Sequence, residues 1–231
     1  KIGLGLFNDL YFDVKAKTDD GRKEKSNSIH DLTLSGKLTQ EQLNNSGKIK
    51  MTSDTNKAAN TGGMIGSLRY TASDIDNNSR EYNFWNVSLD GLNISGERVT
   101  GGFIGNVPDK SLSIYINECS ANNLSVKGTL TAAGGVIGYM LGNANLYINT
   151  LTEETSEFNE SVTSDNSSKG KTLVDTNCGG IIGQLGDKTA NANSEVIIRN
   201  VTVTAPENKH MGNEAENTNS ALNGVGGAIG L

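Results

Sequence analysis

The chain has 231 residues, and its 20 basic and 26 acidic side chains give a net charge of −6. This mild acidity, without a basic cluster, argues against nucleic acid or an anionic membrane as a partner. No apolar run approaches the length of about 18 residues that a membrane-spanning helix needs. Glycine is abundant at 28 residues, whereas proline occurs twice and aromatic residues make up 5%. This composition favours an all-β fold with many tight turns.

The most regular feature of the sequence is a five-residue pattern, Gly-Gly-x-Ile-Gly with x apolar, which occurs five times. Its copies begin at Gly62, Gly101, Gly134, Gly179 and Gly226, so their spacing varies from 33 to 47 residues. Helical repeats keep a nearly fixed length, whereas a β-solenoid keeps its strands constant and lengthens its loops. The structural repeat residues are Gly62, Gly63, Ile65, Gly66, Gly101, Gly102, Ile104, Gly105, Gly134, Gly135, Ile137, Gly138, Gly179, Gly180, Ile182, Gly183, Gly226, Gly227, Ile229 and Gly230.

In chain order, segment 1–7 is similar to a degenerate sixth copy of the pattern, and a polar loop is predicted for 17–26. Each later unit repeats one layout: the glycine strand, a polar turn, a short strand ending near Asn, and an alternating strand. Alternation of apolar and polar residues indicates a strand with one buried face. The two longest inserts, Thr152–Thr176 and Ala205–Asn223, are predicted to be exposed, mobile loops. The short strands are predicted at 29–31, 82–86, 112–117, 145–149 and 195–200, and the alternating strands at 32–34, 87–89, 124–126 and 201–203.

Each unit is therefore predicted to be one coil of a parallel β-helix with about three strands. Five or six coils would stack into a rod of about 25 Å. Stacking places the Ile of each copy in one inner column, and we expect a small Ile-lined core that is filled without aromatic side chains. The whole chain, 1–231, is predicted to be a single solenoid segment. Because it lacks an initial Met and stops inside a repeat, we expect a fragment of a longer repeat protein.

The glycines of the pattern have two possible roles. They either supply a positive φ or allow close backbone approach at a corner. A related question concerns Met64 and Ile65, which are both apolar but would point to opposite faces of a plain strand. Either a bulge at the Gly pair turns the chain, or one face packs on something outside the core. We favour the bulge.

Several candidate sites have a simpler structural interpretation. The glycine pattern lacks the following helix and the Lys-Ser/Thr of a phosphate loop, so it is interpreted as structural. The segment 74–78 has the Asp-x-Asp-x-Asn spacing of a calcium loop and is followed by Glu81. Ser79 stands where such a loop needs Gly, and Trp85 stands where it needs Glu, so a polar turn is favoured over calcium.

The two cysteines, Cys119 and Cys178, are predicted to be free thiols. Aligning the units puts Cys119 where other units have Val87 or Val201, with Glu118 in the place of their Asn. Cys178 instead precedes the Gly pair. The two thiols therefore fall on different ladders, which makes a disulfide geometrically unfavourable.

Carboxylates for glycan cleavage would have to cluster on neighbouring coils. The acidic residues considered for this role are scattered in the sequence, the two histidines are interpreted as surface residues, and four tyrosines are predicted to be exposed and able to stack on sugar or peptide. These residues are Asp90, Asp109, Glu118 and Glu195, then His30 and His210, then Tyr82, Tyr115, Tyr139 and Tyr147.

The repeated Gly-Gly-x-Ile-Gly-x-Leu, followed by Ile-x-Asn-Val-x-Val and Gly, resembles the GLUG-type repeats over about residues 27–231. These repeats occur in large surface-exposed or secreted bacterial proteins, including adhesin-like proteins and the non-catalytic region of streptococcal IgA-cleaving metallopeptidases. The resemblance implies an extracellular, right-handed β-helix. It carries over no catalytic residue, and the His-Glu-x-x-His zinc motif of those peptidases is absent from this sequence.

The first functional hypothesis is therefore a non-catalytic structural or adhesive segment of a bacterial cell-surface protein. It would present loops to a host or neighbouring-cell protein or glycan, and further repeats of the same protein would stack on both of its ends. The alternative is the β-helical module of a secreted peptidase or polysaccharide-acting enzyme. No catalytic residue, metal site or cofactor is predicted, and no residue identifies a binding site.

Overall fold

The computed structural model describes residues 3–13, 28–36, 50–52, 60–71, 80–96, 98–108, 112–128, 131–164, 177–186, 193–207, 212–213 and 225–230. Every regular element in these ranges is a β-strand, and no helix among the described residues is long and apolar enough to cross a membrane. The predicted loop at 17–26 lies outside the described residues.

The strands are short, and they are numbered here in chain order. The first eight are β1 (Gly3–Leu4), β2 (Phe7–Asp13), β3 (Ser28–Ser35), β4 (Lys50–Thr52), β5 (Asn60–Gly62), β6 (Ile65–Thr71), β7 (Arg80–Asp90) and β8 (Asn93–Gly96). The next eight are β9 (Val99–Gly101), β10 (Ile104–Val107), β11 (Leu112–Asn117), β12 (Ser120–Gly128), β13 (Ala132–Gly134), β14 (Ile137–Met140), β15 (Asn145–Ile148) and β16 (Ser156–Ser164). The last six are β17 (Asn177–Gly179), β18 (Ile182–Leu185), β19 (Val196–Ile198), β20 (Val201–Thr204), β21 (Gly212–Asn213) and β22 (Val225–Gly226).

These strands form three parallel sheets, which the chain visits in turn. Sheet I has the order β1-β5-β9-β13-β17-β22, and sheet II has the order β18-β14-β10-β6-β2. Sheet III holds the other eleven strands along the path β19-β15-β11-β7-β12-β16-β20, with β3, β4, β8 and β21 paired beside it. A chain that returns to the same three sheets on each circuit, always in parallel, fits a β-solenoid and confirms the predicted all-β parallel architecture.

The Gly pair of each repeat forms the corner between sheet I and sheet II. Strand β5 ends at Gly62, the chain bends at Gly63 and Met64, and β6 begins at Ile65. Both Met64 and Ile65 are fully buried. The chain therefore turns at the Gly pair, as the favoured alternative required, although the turn joins two sheets instead of interrupting one strand.

Close approach, and not a positive φ, explains the motif glycines. The described glycines with positive φ are Gly91 and Gly186, and neither belongs to the pattern. A Cβ placed on Gly105 would lie 2.6 Å from the carbonyl oxygen of Thr61 on the previous coil. A Cβ on Gly102 would overlap the carbonyl oxygen of Gly135 on the next coil. Successive coils therefore approach too closely at this corner for any side chain.

The inner columns are in register from coil to coil. Strand pairing aligns Ile104 with both Ile65 and Ile137, and Ile182 with both Ile137 and Ile229. The expectation of a core without aromatic side chains is wrong, because Phe84, Phe103 and Phe158 are fully buried. Their rings pack edge to face with centroids 6.1 Å apart, an arrangement that aromatic pairs favour. Phe103 itself belongs to a glycine corner, and its ring contacts both of the others.

A second corner, in sheet III, uses left-handed backbone at polar residues. Residues in this conformation pay a steric cost that Asn and Asp tolerate best. Asn86 donates a hydrogen bond to Asp31 at 2.8 Å, and Asn149 donates to the carbonyl oxygen of Asn200 at 3.2 Å. Pairing of Asn117 with Trp85 puts Glu118 opposite Asn86, as predicted from the sequence. The corner residues have φ between 50° and 55° and are Asp31, Asn86, Glu118, Asn149 and Asn200.

Part of one predicted loop lies in the core. The insert Thr152–Thr176 was expected to be exposed throughout, but Ser156–Ser164 forms β16, which pairs with β12 and β20. Its Phe158 and Val162 are fully buried. The second insert, Ala205–Asn223, likewise contributes the short strand β21 to sheet III. Polar residues at inward positions of β16 conceal its alternation in the sequence.

The Gly corner gives a testable contrast between two residues at the same place in the motif. Gly102→Ala is expected to lower the free energy of unfolding by about 3 kcal/mol, because its Cβ overlaps the neighbouring coil and overpacking is costly. The matched control is Gly227→Ala, since a Cβ on Gly227 meets nothing within 4 Å. Urea unfolding of both variants checks this. Equal losses in the two would contradict close approach as the reason for the glycines.

Candidate functional site

The outer surface of sheet III carries the most distinctive exposed side chains in the described part of the chain. On β11 and β15, Tyr115 and Tyr147 lie in register and point outward. Their rings stack with centroids 4.8 Å apart and planes inclined by 19°. The hydroxyl of Tyr147 donates a hydrogen bond of 2.7 Å to Oε2 of Glu195. We call Tyr115, Tyr147 and Glu195 the tyrosine face.

The surroundings of both phenols on the tyrosine face raise their pKa above the usual value. The hydrogen bond to Glu195 is the main reason why the pKa of Tyr147 rises to about 12, and burial adds to it. Burial is the first cause for Tyr115, whose pKa is also raised by the negative charges of Glu81 and Glu195.

The other two candidate tyrosines do not belong to the tyrosine face. Tyr82 is buried, which corrects its prediction as exposed and raises its pKa, and Tyr139 lies on sheet II between Asn106 and Gln184.

A projecting loop, residues 150–155, lies beside this face at the left-handed corner. The backbone N–H of Leu151 donates to Oδ1 of Asn117 at 3.4 Å. The hydroxyl of Thr152 donates to Oε1 of Glu118 at 3.1 Å, and Asn200 donates to the carbonyl oxygen of Glu153 at 3.3 Å. Hydrogen bonds from two neighbouring coils therefore brace the loop. Its apolar tip, Leu151, is nevertheless 57% exposed.

The carboxylates that were considered for catalysis are not brought together. Asp90 accepts a hydrogen bond from Asn122 on the adjacent strand. Asn122 is four residues after Glu118. Glu195 lies on the coil next to Asn145, to whose side chain its backbone N–H donates a hydrogen bond. Asn145 in turn pairs with Ser113, which is five residues before Glu118. At about 3.3 Å per residue, these groups are about 13 Å or more apart along the strands. Asp109 lies outside the described residues.

Some of the candidate metal ligands lie in the described part of the chain. No group of three or more His, Cys, Asp or Glu that could hold a metal occurs among the described residues, and the calcium-like segment 74–79 lies outside them, as does His210. His30 is exposed and its Nδ1 lies 3.0 Å from the Asp31 carboxylate.

The two cysteines are not joined in a disulfide, and both are fully buried. Cys119 lies opposite Val87 in sheet III, because the next residues, Ser120 and Ser88, pair. Cys178 lies between Ala133 and Val225 in sheet I, the column predicted for it. Burial raises the pKa of Cys119 to about 12. A thiol with a raised pKa in an apolar setting is a poor nucleophile, so Cys119 is a packing position.

The residue that sequence reasoning missed is Glu160, which points into the core from β16. Its side chain is fully buried, and neither carboxylate oxygen has a hydrogen-bond partner among the described residues. It pairs with Leu124 of the previous coil and its carboxyl lies against Gly135. Burial raises the pKa of Glu160 well above its usual value, because desolvation disfavours the charged carboxylate. Aligning β16 with β12 in the sequence would have revealed an acid in a leucine column.

Burial of Glu160 gives a pH dependence of stability with a definite sign. The folded pKa lies above the unfolded one, so the folded state binds more protons between the two values. The contribution of Glu160 to stability is fully present below the usual Glu pKa of 4.5 and falls by about 1.4 kcal/mol per pH unit until the folded pKa is reached. Glu160→Leu is expected to remove this decline and to raise stability at pH 7 by about 1–3 kcal/mol.

Urea unfolding across the pH range checks this prediction. The control is Glu157→Gln, which changes an exposed acid on the same strand and should leave the decline in place. A Glu160→Leu variant that retains the full decline would show that the dependence has another origin.

A search of models of known protein families, of curated protein sequences and of solved structures found no match to this chain.

Proposed function

We propose that this chain is a non-catalytic structural or adhesive segment of a large bacterial cell-surface protein. In this proposal the solenoid is a right-handed β-helix of the GLUG type and lies outside the cell. Its task is to hold loops and strand faces at fixed positions for a host or neighbouring-cell protein or glycan. The sequence resemblance supports the location and the handedness, and the ladder of coils supports the role of a rigid scaffold.

The observation that carries the proposal is the braced loop 150–155. An exposed apolar side chain on a rigid loop loses little conformational freedom on binding, which favours affinity. Leu151 is such a side chain, because its loop is hydrogen-bonded to the coils on both sides. Two exposed acids, Glu153 and Glu154, follow it in the same loop. This arrangement suits a partner with an apolar pocket and a basic or neutral rim.

Partly exposed inner residues of the last coil support the expected stacking of further repeats. Val196, Ile198, Val201 and Val203 occupy inward columns but remain only partly buried or packed at the edge of the core. Another coil laid on β19 and β20 would bury them and would pair the strand edge that no described strand occupies.

Binding arrays of host proteins and glycans, probed with the purified chain, test the proposal. We expect at least one protein or glycan to bind. Leu151→Ser is then expected to weaken that binding about tenfold or more, as loss of a central apolar contact does. The matched control is Leu6→Ser, since Leu6 is also exposed, at 47%, but lies on the first coil. Equal losses in both variants would contradict the loop as the contact.

A second experiment distinguishes the non-catalytic proposal from the catalytic alternative. The same polysaccharides and peptides are incubated with the chain, and new ends are measured as reducing sugars or free amines. We expect no release above the buffer control. Turnover that is lost with a substitution of an exposed acid would contradict the non-catalytic proposal and favour the enzyme module.

A further inference from the structure

The stacked pair on the tyrosine face has a chemistry that its packing role does not require. Tyr115 and Tyr147 belong to successive coils and are 32 positions apart in the sequence, yet their rings lie 4.8 Å apart and nearly parallel. Both side chains are partly exposed on the outside of sheet III. A small oxidant in solvent can therefore reach two phenols that are already beside each other.

This proximity distinguishes the pair from the other tyrosines whose side chains the structure describes. Tyr82 is buried in the core against Phe84. Tyr139 lies on sheet II, and its in-register neighbours there are Asn106 and Gln184. Only the Tyr115–Tyr147 pair, within the described side chains, places two phenol rings in stacking contact.

The pair also has a proton acceptor in place. A phenol that gives up one electron becomes a strong acid, so its oxidation is easiest when a base takes the proton at the same time. Tyr147 already donates its hydroxyl hydrogen to Oε2 of Glu195 at 2.7 Å. Glu195 is exposed and can pass the proton on to solvent.

We propose that Tyr115 and Tyr147 form a site of oxidative cross-linking, in which a one-electron oxidant of the haem-peroxidase or photo-oxidant class joins the two rings as dityrosine. Each phenol loses one electron to the oxidant and one proton, that of Tyr147 passing to Glu195. The two phenoxyl radicals then form one carbon–carbon bond between their ortho carbons. The two ortho hydrogens return to the oxygens as the rings regain aromaticity, so the product lacks two hydrogen atoms in total.

The bond would tie the coil of β11 to the coil of β15 covalently. Like a disulfide, it would restrict the unfolded chain by closing a loop between positions 115 and 147. Rotation of the two partly exposed side chains is enough to bring the ortho carbons together, because the strands that carry them are adjacent partners in one sheet. The cross-link does not depend on the proposed adhesive role.

The test uses the full chain at low concentration with photo-generated ruthenium(III) tris-bipyridine and persulfate as the electron acceptor. Peptide mass mapping locates the link, and dityrosine fluorescence gives its rate. We expect an intramolecular link between positions 115 and 147 as the main product and a Tm raised by several degrees. Tyr115→Phe and Tyr147→Phe keep the stacked rings and should abolish the link, whereas Tyr139→Phe should leave it unchanged.

Glu195→Gln tests the positioning role of the carboxylate. This variant is expected to slow cross-linking several-fold and to make the rate rise with the concentration of a buffer base such as imidazole, which a purely structural role would not produce. The proposal is overturned if tyrosines are oxidised but links to other positions, or between molecules, are as abundant as the 115–147 link.

Discussion

The structure depends on how closely successive coils approach at the glycine corner. Backbone amides there bond directly from coil to coil, as from Gly63 to Gly102 at 2.8 Å. A side chain at either glycine would occupy the space that the next carbonyl oxygen fills. Because the corner fixes the height of each coil, it holds neighbouring columns in register, including the inner Ile column and the outer tyrosine pair. The repeated glycines are thus a spacing constraint for the whole rod.

Strand register and corner residues vary most in sheet III, away from the glycine corner. Strand β12 carries an extra residue relative to β16, so the register shifts between Ala121 and Leu124. The left-handed corner tolerates Glu118 in an Asn position, and the loop 150–155 projects from the same place. The buried acid Glu160 lies one coil further on. The features with possible functions therefore lie in the sheet whose bounds vary between coils, while the glycine corner stays constant.

The sequence predicted those features that repeat, because repetition makes period and column visible together. The Gly-Gly-x-Ile-Gly pattern located the corner, and aligned strands located the columns of Cys119 and Cys178. The sequence did not predict β16, because Ser156 and Glu160 are polar residues at buried positions and break the alternation of apolar and polar residues. Tyr82 was expected outside, although its partner in the ladder is the buried Ile114. The tyrosine pair and the braced loop depend on contacts between coils, which no single unit of the sequence contains.

Spin-label distances can measure whether each repeat forms one coil of a continuous parallel ladder. Two labels at Ser28 and Ile197 lie four strands apart on one outer column, through Asn83, Tyr115 and Tyr147. The native thiols can be removed as Cys119→Val and Cys178→Ala, since Val87 and Ala133 fill the same columns in other coils. A continuous ladder gives four spacings of about 4.8 Å, so we expect a narrow distribution centred at about 19 Å between backbones. A broad distribution, or a distance far above this value, would contradict the continuous ladder.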